Sequence, residues 1–316
     1  MDFQSWLIAA RYFGTLPYRK CRNRIFESRG CAPLMVLFYH RVADTHPNQW
    51  TISTKLFERQ MRWLRDRFDV ISLREAQQRI RRGTNSRMAV SITFDDGYAD
   101  NCDFAIPLLH EWNMPCTYFI SSYHMLTGDA FPHDVKAGVP LAPNTPEQVA
   151  EMAEDGVDIG AHTRVHADLG ALTDEAQIYQ EIVGSGDDLA AVTSRPVRYF
   201  AFPYGQLENM PANAFRIAKQ AGYRGVCAAY GGYNFGGQSA FFLKRIHADP
   251  EMNRFRNWLT FDQRKHAMHA DIPGQPLTER PGVSEPVQPL TEFPAMQEPA
   301  QPVVERPDPQ ETVQTR

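Results

Sequence analysis

Two neighbouring carboxylates follow an apolar run in the stretch SITFDDGYAD, residues 91–100. The run MAVSITF predicts a buried strand of apolar and β-branched residues, and Gly97 marks the turn that follows it. Asp95 and Asp96 therefore lie where a strand ends, and successive strand residues point to opposite faces. Carboxylates at such a boundary can act as general bases or metal ligands, or they can simply cap the next helix.

Other strand-like runs end in residues that could take part in the same chemistry. They supply His40 and Arg41 after MVLFY, His162 and His166 in VDIGAHTRVH, Pro203 and Tyr204 after VRYFAF, and His247 in FLKRIH. Two histidines four apart on a helical turn would share one face, and an aspartate can add a third ligand. Two histidines and one aspartate with an open position are typical of a catalytic divalent-metal site, although the H-x-x-x-H spacing alone also occurs on ordinary surfaces.

The elements that must position these residues alternate between strand and helix. Eight strand-like runs lie between residues 35 and 260, with helical patterns such as FERQMRWLRDR and NAFRIAKQAG between several of them. This alternation predicts an α/β fold with a mostly parallel sheet covered by helices. Seven or eight units in a chain segment of this length favour a closed barrel, whose chemistry gathers at the carboxyl ends of the strands. No glycine-rich nucleotide-binding motif is present.

The bulk composition excludes several classes of protein. The chain has 316 residues, a net charge of −4 and a pI near 6.2, so nothing attracts it to nucleic acid. Its five cysteines are odd in number and lack a short-spaced pair, which argues against a disulfide framework or a cysteine zinc site. We expect a monomer. No clear signal peptide or membrane-spanning stretch is visible, which favours a cytoplasmic or membrane-peripheral location over secretion.

The two ends of the chain differ from the middle. Residues 1–34 are predicted to form a helical, basic extension, in which Phe3, Trp6, Leu7 and Ala10 share helical spacing ahead of the run YRKCRNR. This pattern is that of a helix lying at a membrane surface, but a helix docked on the domain would show it as well. Ten of the 23 prolines fall between Pro273 and Pro309, so residues 271–316 are predicted to be a disordered tail beyond a domain at 35–270.

Three motifs in the predicted domain resemble those of a known family. The segments TFDDG (93–97), HTRVH (162–166) and FAFPYG (200–205) are similar to the signature motifs of the polysaccharide deacetylases, the NodB-homology domains of carbohydrate esterase family 4. The resemblance covers roughly residues 35–250, and MVLFYHRV and LKRIH look like its exopolysaccharide-deacetylase branch. It implies a distorted (β/α) barrel of about seven strands and metal-dependent hydrolysis of N-acetyl groups on a polysaccharide, with release of acetate.

The resemblance also implies roles for individual residues. Asp95 would be the general base, and Asp96, His162 and His166 would bind Zn²⁺, with Co²⁺, Ni²⁺ or Fe²⁺ as alternatives. The backbone N–H of Tyr204 would help to stabilise the oxyanion. Pro203, Tyr204 and Arg41 would contact a polysaccharide or oligosaccharide substrate.

Two features depart from the family pattern. Many members carry an arginine in the third motif that orients the catalytic aspartate, whereas this chain has Ala201 and Phe202 there, so Arg41 or Arg164 is the expected substitute. The general acid is either His40, which we favour because YHRV ends a clean strand, or His247 from the late motif.

Two other functions would use the same fold. One is hydrolysis of a small amide or of a carbohydrate O-acetyl ester at the same site. The other is non-catalytic carbohydrate binding, which a carboxylate base beside a complete set of metal ligands argues against.

Overall fold

A parallel sheet organises the part of the chain that the structure describes. The computed structural model describes residues 3–267, so the predicted proline-rich tail lies outside the described residues. The strands are β1 (Leu34–Tyr39), β2 (Arg41–Val42), β3 (Thr51–Ile52), β4 (Asp69–Val70), β5 (Ala89–Phe94), β6 (Cys116–Ile120), β7 (Asp158–Ala161), β8 (Tyr199–Ala201), β9 (Gly225–Cys227), β10 (Phe242–Leu243) and β11 (Ile246–His247). Apart from β2 and β3, which pair with each other, they form one nine-stranded sheet.

The strand order of the sheet is β10-β9-β8-β7-β6-β5-β1-β11, with β4 pairing beside the start of β5, and every pairing is parallel. Strands β1 and β5 are buried along their whole length, as expected where helices cover the outer face of a curled parallel sheet and strand side chains fill its inner face. The predicted α/β class and distorted barrel are confirmed.

The sheet curls because its two edge strands are neighbours in the chain. Only Lys244 and Arg245 separate β10 from β11, although these strands lie at opposite ends of the sheet order. Three Cα–Cα steps span at most about 11 Å, so the two edges must approach each other. Arg245 is fully buried at this seam.

Helices surround the sheet, and several of them bury an apolar face against it. They are α1 (Phe3–Ser28), α2 (Thr54–Arg65), α3 (Leu73–Arg82), α4 (Ala105–Glu111), α5 (Ser122–Thr127), α6 (Pro132–Lys136), α7 (Pro146–Glu154), α8 (Glu175–Tyr179), α9 (Ser185–Thr193), α10 (Ala212–Gln220), α11 (Met252–Leu259) and α12 (Gln263–Ala267). In α2, the Ser53 hydroxyl accepts a hydrogen bond from the N–H of Leu56, and Phe57, Met61 and Leu64 are buried at helical spacing.

The N-terminal helix α1 is docked on the domain by a buried arginine. The Arg19 guanidinium donates hydrogen bonds to the carbonyl oxygens of Asn257 and Phe261, each at 2.8 Å. Arg11 adds an ion pair with Asp262 at 3.0 Å. Among the described residues, no helix combines the length and the apolar character that crossing a membrane requires.

Candidate metal centre and catalytic site

The candidate residues collect at one rim of the sheet. His40 follows β1, Asp95 follows β5, His162 follows β7, Tyr204 follows β8, and His247 ends β11. The backbone N–H of Asp95 donates to the carbonyl oxygen of Tyr39 at 2.9 Å, which sets Asp95 level with His40. These strands are parallel, so their carboxyl ends face the same side, as the sequence predicts.

Asp96, His162 and His166 form a cluster with metal-ligand chemistry. One potential ligand atom from each residue lies within 4.8 Å of the other two. The Oδ1 atom of Asp96 is 3.4 Å from Nε2 of His162 and 3.2 Å from Nε2 of His166. Asp96 and His162 are almost completely buried, and His166 is partly exposed. The cluster thus opens to solvent on the His166 side.

The hydrogen bonds around the cluster fit a cation between its members. Nδ1 of His162 lies 2.8 Å from the carbonyl oxygen of Ala201, which can only accept, so Nδ1 carries the proton. In a neutral imidazole, Nε2 then presents a lone pair to Asp96, whose buried Oδ1 has no hydrogen-bond partner among the described residues. Two acceptors facing each other require a proton or a metal cation between them. The donor set of two imidazoles and one carboxylate is suited to a divalent transition metal.

A loop, and not the predicted helical turn, brings the two histidines together. Residues 162–168 form no regular helix, and Thr163 and His166 have left-handed backbone φ angles of 60° and 57°. Glu181 holds this loop by accepting hydrogen bonds from the N–H groups of Arg164, at 2.8 Å, and Val165, at 3.1 Å. Sequence reasoning missed Glu181, which lies in a π-helical turn (Gln180–Gly184) between α8 and α9.

The turn after β5 sends the two aspartates in different directions. Asp96 has a φ of 74° and Gly97 a φ of 103°, both in the left-handed region. A Cβ on Gly97 would come within 3.0 Å of the Ile120 side chain. Any larger residue would therefore be strained both by the left-handed backbone and by this contact. Asp96 consequently turns to the histidines while Asp95 turns to the centre of the sheet.

Arg245 holds the Asp95 carboxylate. Its two terminal nitrogens donate to the two carboxylate oxygens of Asp95 at 2.6 and 2.8 Å, and one of them also lies 3.1 Å from the Thr93 hydroxyl. Burial disfavours the charge on Asp95, but the Arg245 guanidinium outweighs it, and the pKa of Asp95 lies below its ordinary value. Asp95 is therefore ionised near neutral pH and fixed in orientation.

The arginines expected to hold Asp95 lie elsewhere, so that hypothesis was wrong. Arg41 pairs with Asp100 at 2.7 and 2.8 Å, and Arg164 pairs with Asp188 at 3.0 Å. The Arg41 side chain is also only 1% exposed, which removes it from direct contact with a substrate. Arg41 cannot hold Asp95 because it begins β2, which lies outside the barrel centre. Arg245 reaches the barrel centre from its position between β10 and β11.

The two candidate acids lie side by side along β1 and β11. Phe38 pairs with His247 in the sheet register, and its ring lies 5.7 Å from that of His40 and 5.3 Å from that of His247. The buried Nδ1 of His40 has no hydrogen-bond partner among the described residues. Burial, followed by the neighbouring His40, lowers the pKa of His247 to about 4.

Exposed aromatic residues flank the cluster. Tyr204 is 57% exposed, and its ring lies 5.2 Å from that of His166. Its φ of 60° turns it outward, and within residues 3–267 its backbone N–H makes no hydrogen bond. Pro203 is buried and shapes the turn, so it offers no surface for a substrate. Trp50, which sequence reasoning missed, is 38% exposed, with its ring 4.6 Å from that of His40.

Comparison with known sequences decides the family. A family model described as polysaccharide deacetylase matches residues 82–226, a range that includes Asp95, Asp96, His162 and His166. YxkH of Bacillus subtilis (strain 168), named as a candidate polysaccharide deacetylase, is 28% identical over 224 residues, which are 70% of this chain and 74% of YxkH. Residues 82–226 therefore carry a domain of the polysaccharide deacetylase family. The chain is accordingly a hydrolase of amide bonds.

Two solved structures share the fold of this chain. IcaB from Ammonifex degensii aligns with a TM-score of 0.60 and 24% identity, covering 73% of this chain and 98% of IcaB. The Streptococcus pyogenes deacetylase PplD, solved in complex with acetate, aligns with a TM-score of 0.60 and 20% identity, covering 73% of this chain and 99% of PplD. Both chains are similar in fold to this deacetylase over nearly their whole lengths.

Proposed function

We propose that this deacetylase removes N-acetyl groups from a polysaccharide of the N-acetylglucosamine type and releases acetate, with a divalent cation at its centre. The observation that carries the proposal is a metal-ligand cluster adjoining an oriented, ionised carboxylate. Asp96, His162 and His166 supply the first, and Asp95 on Arg245 supplies the second. A binding protein has no need of a base held in this way.

Asp96, His162 and His166 would hold the cation. When bound, a divalent cation polarises the amide carbonyl and lowers the pKa of water at the site toward neutrality. Two of the three residues are oriented by other groups: the Ala201 carbonyl fixes the His162 ring, and Glu181 fixes the His166 loop. Such supporting hydrogen bonds are typical of metal sites. Zn²⁺ is the expected cation.

Asp95 would accept the proton from the attacking water. A carboxylate oxygen has two lone pairs, so each Asp95 oxygen that accepts from Arg245 can still accept from water. Arg245 keeps Asp95 ionised and limits its motion, which trades some basicity for orientation. Arg245 is thus a positioning residue, whereas Asp95 touches the reacting atoms.

His40 would protonate the leaving amine. It is level with Asp95 in the sheet, and its Nδ1 has no partner among the described residues that would hold the proton back. His247 lies on the next strand, on the far side of β1 from Asp95. Burial lowers the pKa of both histidines, so position and not the pKa favours His40 as the acid. A neutral His247 is suited to supporting the ring of His40 without repelling its charged form.

Trp50 and Tyr204 would bind the sugar, and the backbone N–H of Tyr204 would donate to the developing oxyanion. Trp50 borders His40 and Tyr204 borders His166, so one ring lies beside the proposed acid and the other beside the metal-ligand cluster. Flat apolar rings with polar groups between them are typical of small-molecule and sugar sites.

The test is acetate release from a panel of N-acetylated oligosaccharides by zinc-loaded protein. We expect release by the wild type and a loss of roughly a thousandfold or more in Asp95→Asn, because the base is removed. Glu58→Gln, which changes an exposed carboxylate on α2, is the matched control and should retain full activity. Release from O-acetyl esters but from no amide would overturn the proposal in favour of an esterase. Equal turnover by Asp95→Asn would remove Asp95 as the base.

A further inference from the structure

Helix α1 has one face that is committed to the domain. Tyr12 and Arg19 are buried on that face, and Arg19 reaches the backbone of Asn257 and Phe261. The ring of Phe261 also contacts Phe26 near the end of the helix, with centroids 5.8 Å apart. These contacts fix the helix along its length, so its other face has a defined direction.

The opposite face of α1 carries large apolar side chains into solvent. Phe3 is 75% exposed, Trp6 57%, Leu7 45%, Phe13 59% and Tyr18 56%. Three of these, Phe3, Trp6 and Leu7, belong to the apolar stripe seen in the sequence. The stripe therefore faces away from the domain, and docking of the helix does not account for it.

This concentration is unusual for a soluble surface. Twelve large hydrophobic residues in the described part of the chain are exposed, and five of them lie on this single helix. Isolated exposed apolar residues are normal, but a contiguous apolar strip marks a surface that meets another phase or molecule. We call Phe3, Trp6, Leu7, Phe13 and Tyr18 the α1 outer strip.

Positive charge continues the same face beyond the α1 outer strip. Lys20 and Arg24 are exposed on it, and Arg29 follows directly after the helix. Glu27 is the one acidic residue within α1, and its carboxylate is turned inward to accept from the N–H of Met88 at 3.2 Å. Among residues 3–267, no ion pair engages Lys20 or Arg24. An apolar strip with aromatic residues and a basic flank complements the surface of an anionic bilayer.

We propose that the outer face of α1 lies flat on an anionic membrane surface, with the α1 outer strip entering the interface and Lys20 and Arg24 meeting lipid phosphates. A second copy of this chain is the poorer occupant, because the outer face of its α1 (Phe3–Ser28) offers no carboxylate to pair with Lys20 and Arg24. The proposal stands on α1 alone and does not depend on the substrate of the enzyme.

Vesicle binding by the full chain tests this proposal. We expect co-sedimentation with vesicles of phosphatidylcholine and phosphatidylglycerol, much weaker binding to phosphatidylcholine alone, and loss of binding as salt is raised. Trp6→Glu/Phe13→Glu and Lys20→Glu/Arg24→Glu should each weaken binding by roughly tenfold or more. Leu126→Glu, at a site 47% exposed on α5, is the matched control and should bind as the wild type does.

Two further measurements distinguish membrane binding from misfolding of the variants and from self-association. Quenching of tryptophan fluorescence by brominated lipid should be strong in the wild type and much reduced in Trp6→Phe, which retains binding. Sedimentation velocity should show a monomer for all variants. Absence of binding to anionic vesicles would overturn the proposal, as would equal binding by the Glu variants. A wild-type dimer that Trp6→Glu/Phe13→Glu dissociates, without lipid binding, would assign the face to a second copy.

Discussion

Two arginine–aspartate pairs near the candidate site, one fully buried and one partly exposed, have different roles. In the barrel centre, Arg245 holds Asp95 with two hydrogen bonds, and neither side chain is more than 3% exposed. At the outer end of β1, Arg41 clamps Asp100 in the same two-pronged way, but Asp100 is 24% exposed. The chemistry of the two pairs is the same and only the location differs.

The location decides what each pair can control. Asp95 keeps lone pairs available to the cleft, so the Arg245 pair orients a reacting group. Arg41 also donates to the carbonyl oxygen of His46 at 2.9 Å and to the hydroxyl of Thr51 at 3.2 Å. It thereby holds the segment that carries Trp50. Under the proposed function, Arg41 would act on the substrate through Trp50, and Arg245 would act on the chemistry through Asp95.

The two arginine–aspartate pairs should differ most in their contributions to the free energy of unfolding. Arg245→Met leaves the Asp95 charge buried without a partner, so we expect a loss of about 3–5 kcal/mol in the free energy of unfolding. Arg41→Met should cost about 1–3 kcal/mol, because water can reach Asp100. Urea unfolding measures both. Equal losses would mean that the two pairs contribute equally to stability, which would contradict the claim that their locations set them apart.

A milder substitution should separate the catalytic effects. Arg245→Lys keeps the charge but loses the two-pronged geometry, so we expect kcat for acetate release to fall by about tenfold to a hundredfold with bound zinc unchanged. Arg41→Lys should leave kcat within about threefold. A kcat for Arg245→Lys equal to that of the wild type would remove Arg245 as a positioning residue.

The Arg41 pair should show itself in substrate affinity instead. Trp50→Ala removes one exposed ring beside His40, and we expect KM for an oligosaccharide to rise by roughly threefold to tenfold with little change in kcat. Arg41→Lys should raise KM in the same direction. Trp112→Ala, which alters a tryptophan packed against Arg62 and Arg65 away from the rim, is the control and should leave KM unchanged.

A pH effect follows from the low pKa of His247. Its pKa is near 6.5 in the unfolded chain and about 4 in the folded one, so the unfolded chain binds the proton more readily between these values. The free energy of unfolding is therefore highest above pH 6.5 and decreases as the pH falls toward 4, by about 3 kcal/mol for a difference of roughly 2.5 pKa units. His247→Gln should show a flatter unfolding free energy over this window. If the unfolding free energies of the wild type and His247→Gln changed in parallel with pH, the low pKa of His247 would be contradicted.

Much of this arrangement was predictable, because strand periodicity and polar strand ends are local signals. They indicate Asp95, Asp96, His162 and His166 as candidate site residues from the sequence alone. The signal for Arg245 was also present, since FLKRIH places a charge inside an apolar strand run and a buried charge needs a partner. The partner itself was not predictable, because the closeness of the two sheet edges is a tertiary fact.

Two other features could not be read from periodicity. The helical spacing of Phe3, Trp6 and Leu7 shows that they share a face of α1, but it does not tell which face meets the domain. The spacing of His162 and His166 fitted a helical turn, whereas left-handed residues and Glu181 produce the same convergence from a loop. Residue types were thus more informative than the backbone path that connects them.

The central claim is a division of labour between adjacent aspartates, with Asp96 binding metal and Asp95 removing a proton. The most direct test measures bound zinc per chain together with acetate release for the wild type, Asp95→Asn and Asp96→Asn. The account predicts that Asp95→Asn keeps its zinc and loses turnover, whereas Asp96→Asn loses both. Loss of zinc from Asp95→Asn, or its full retention in Asp96→Asn, would contradict it.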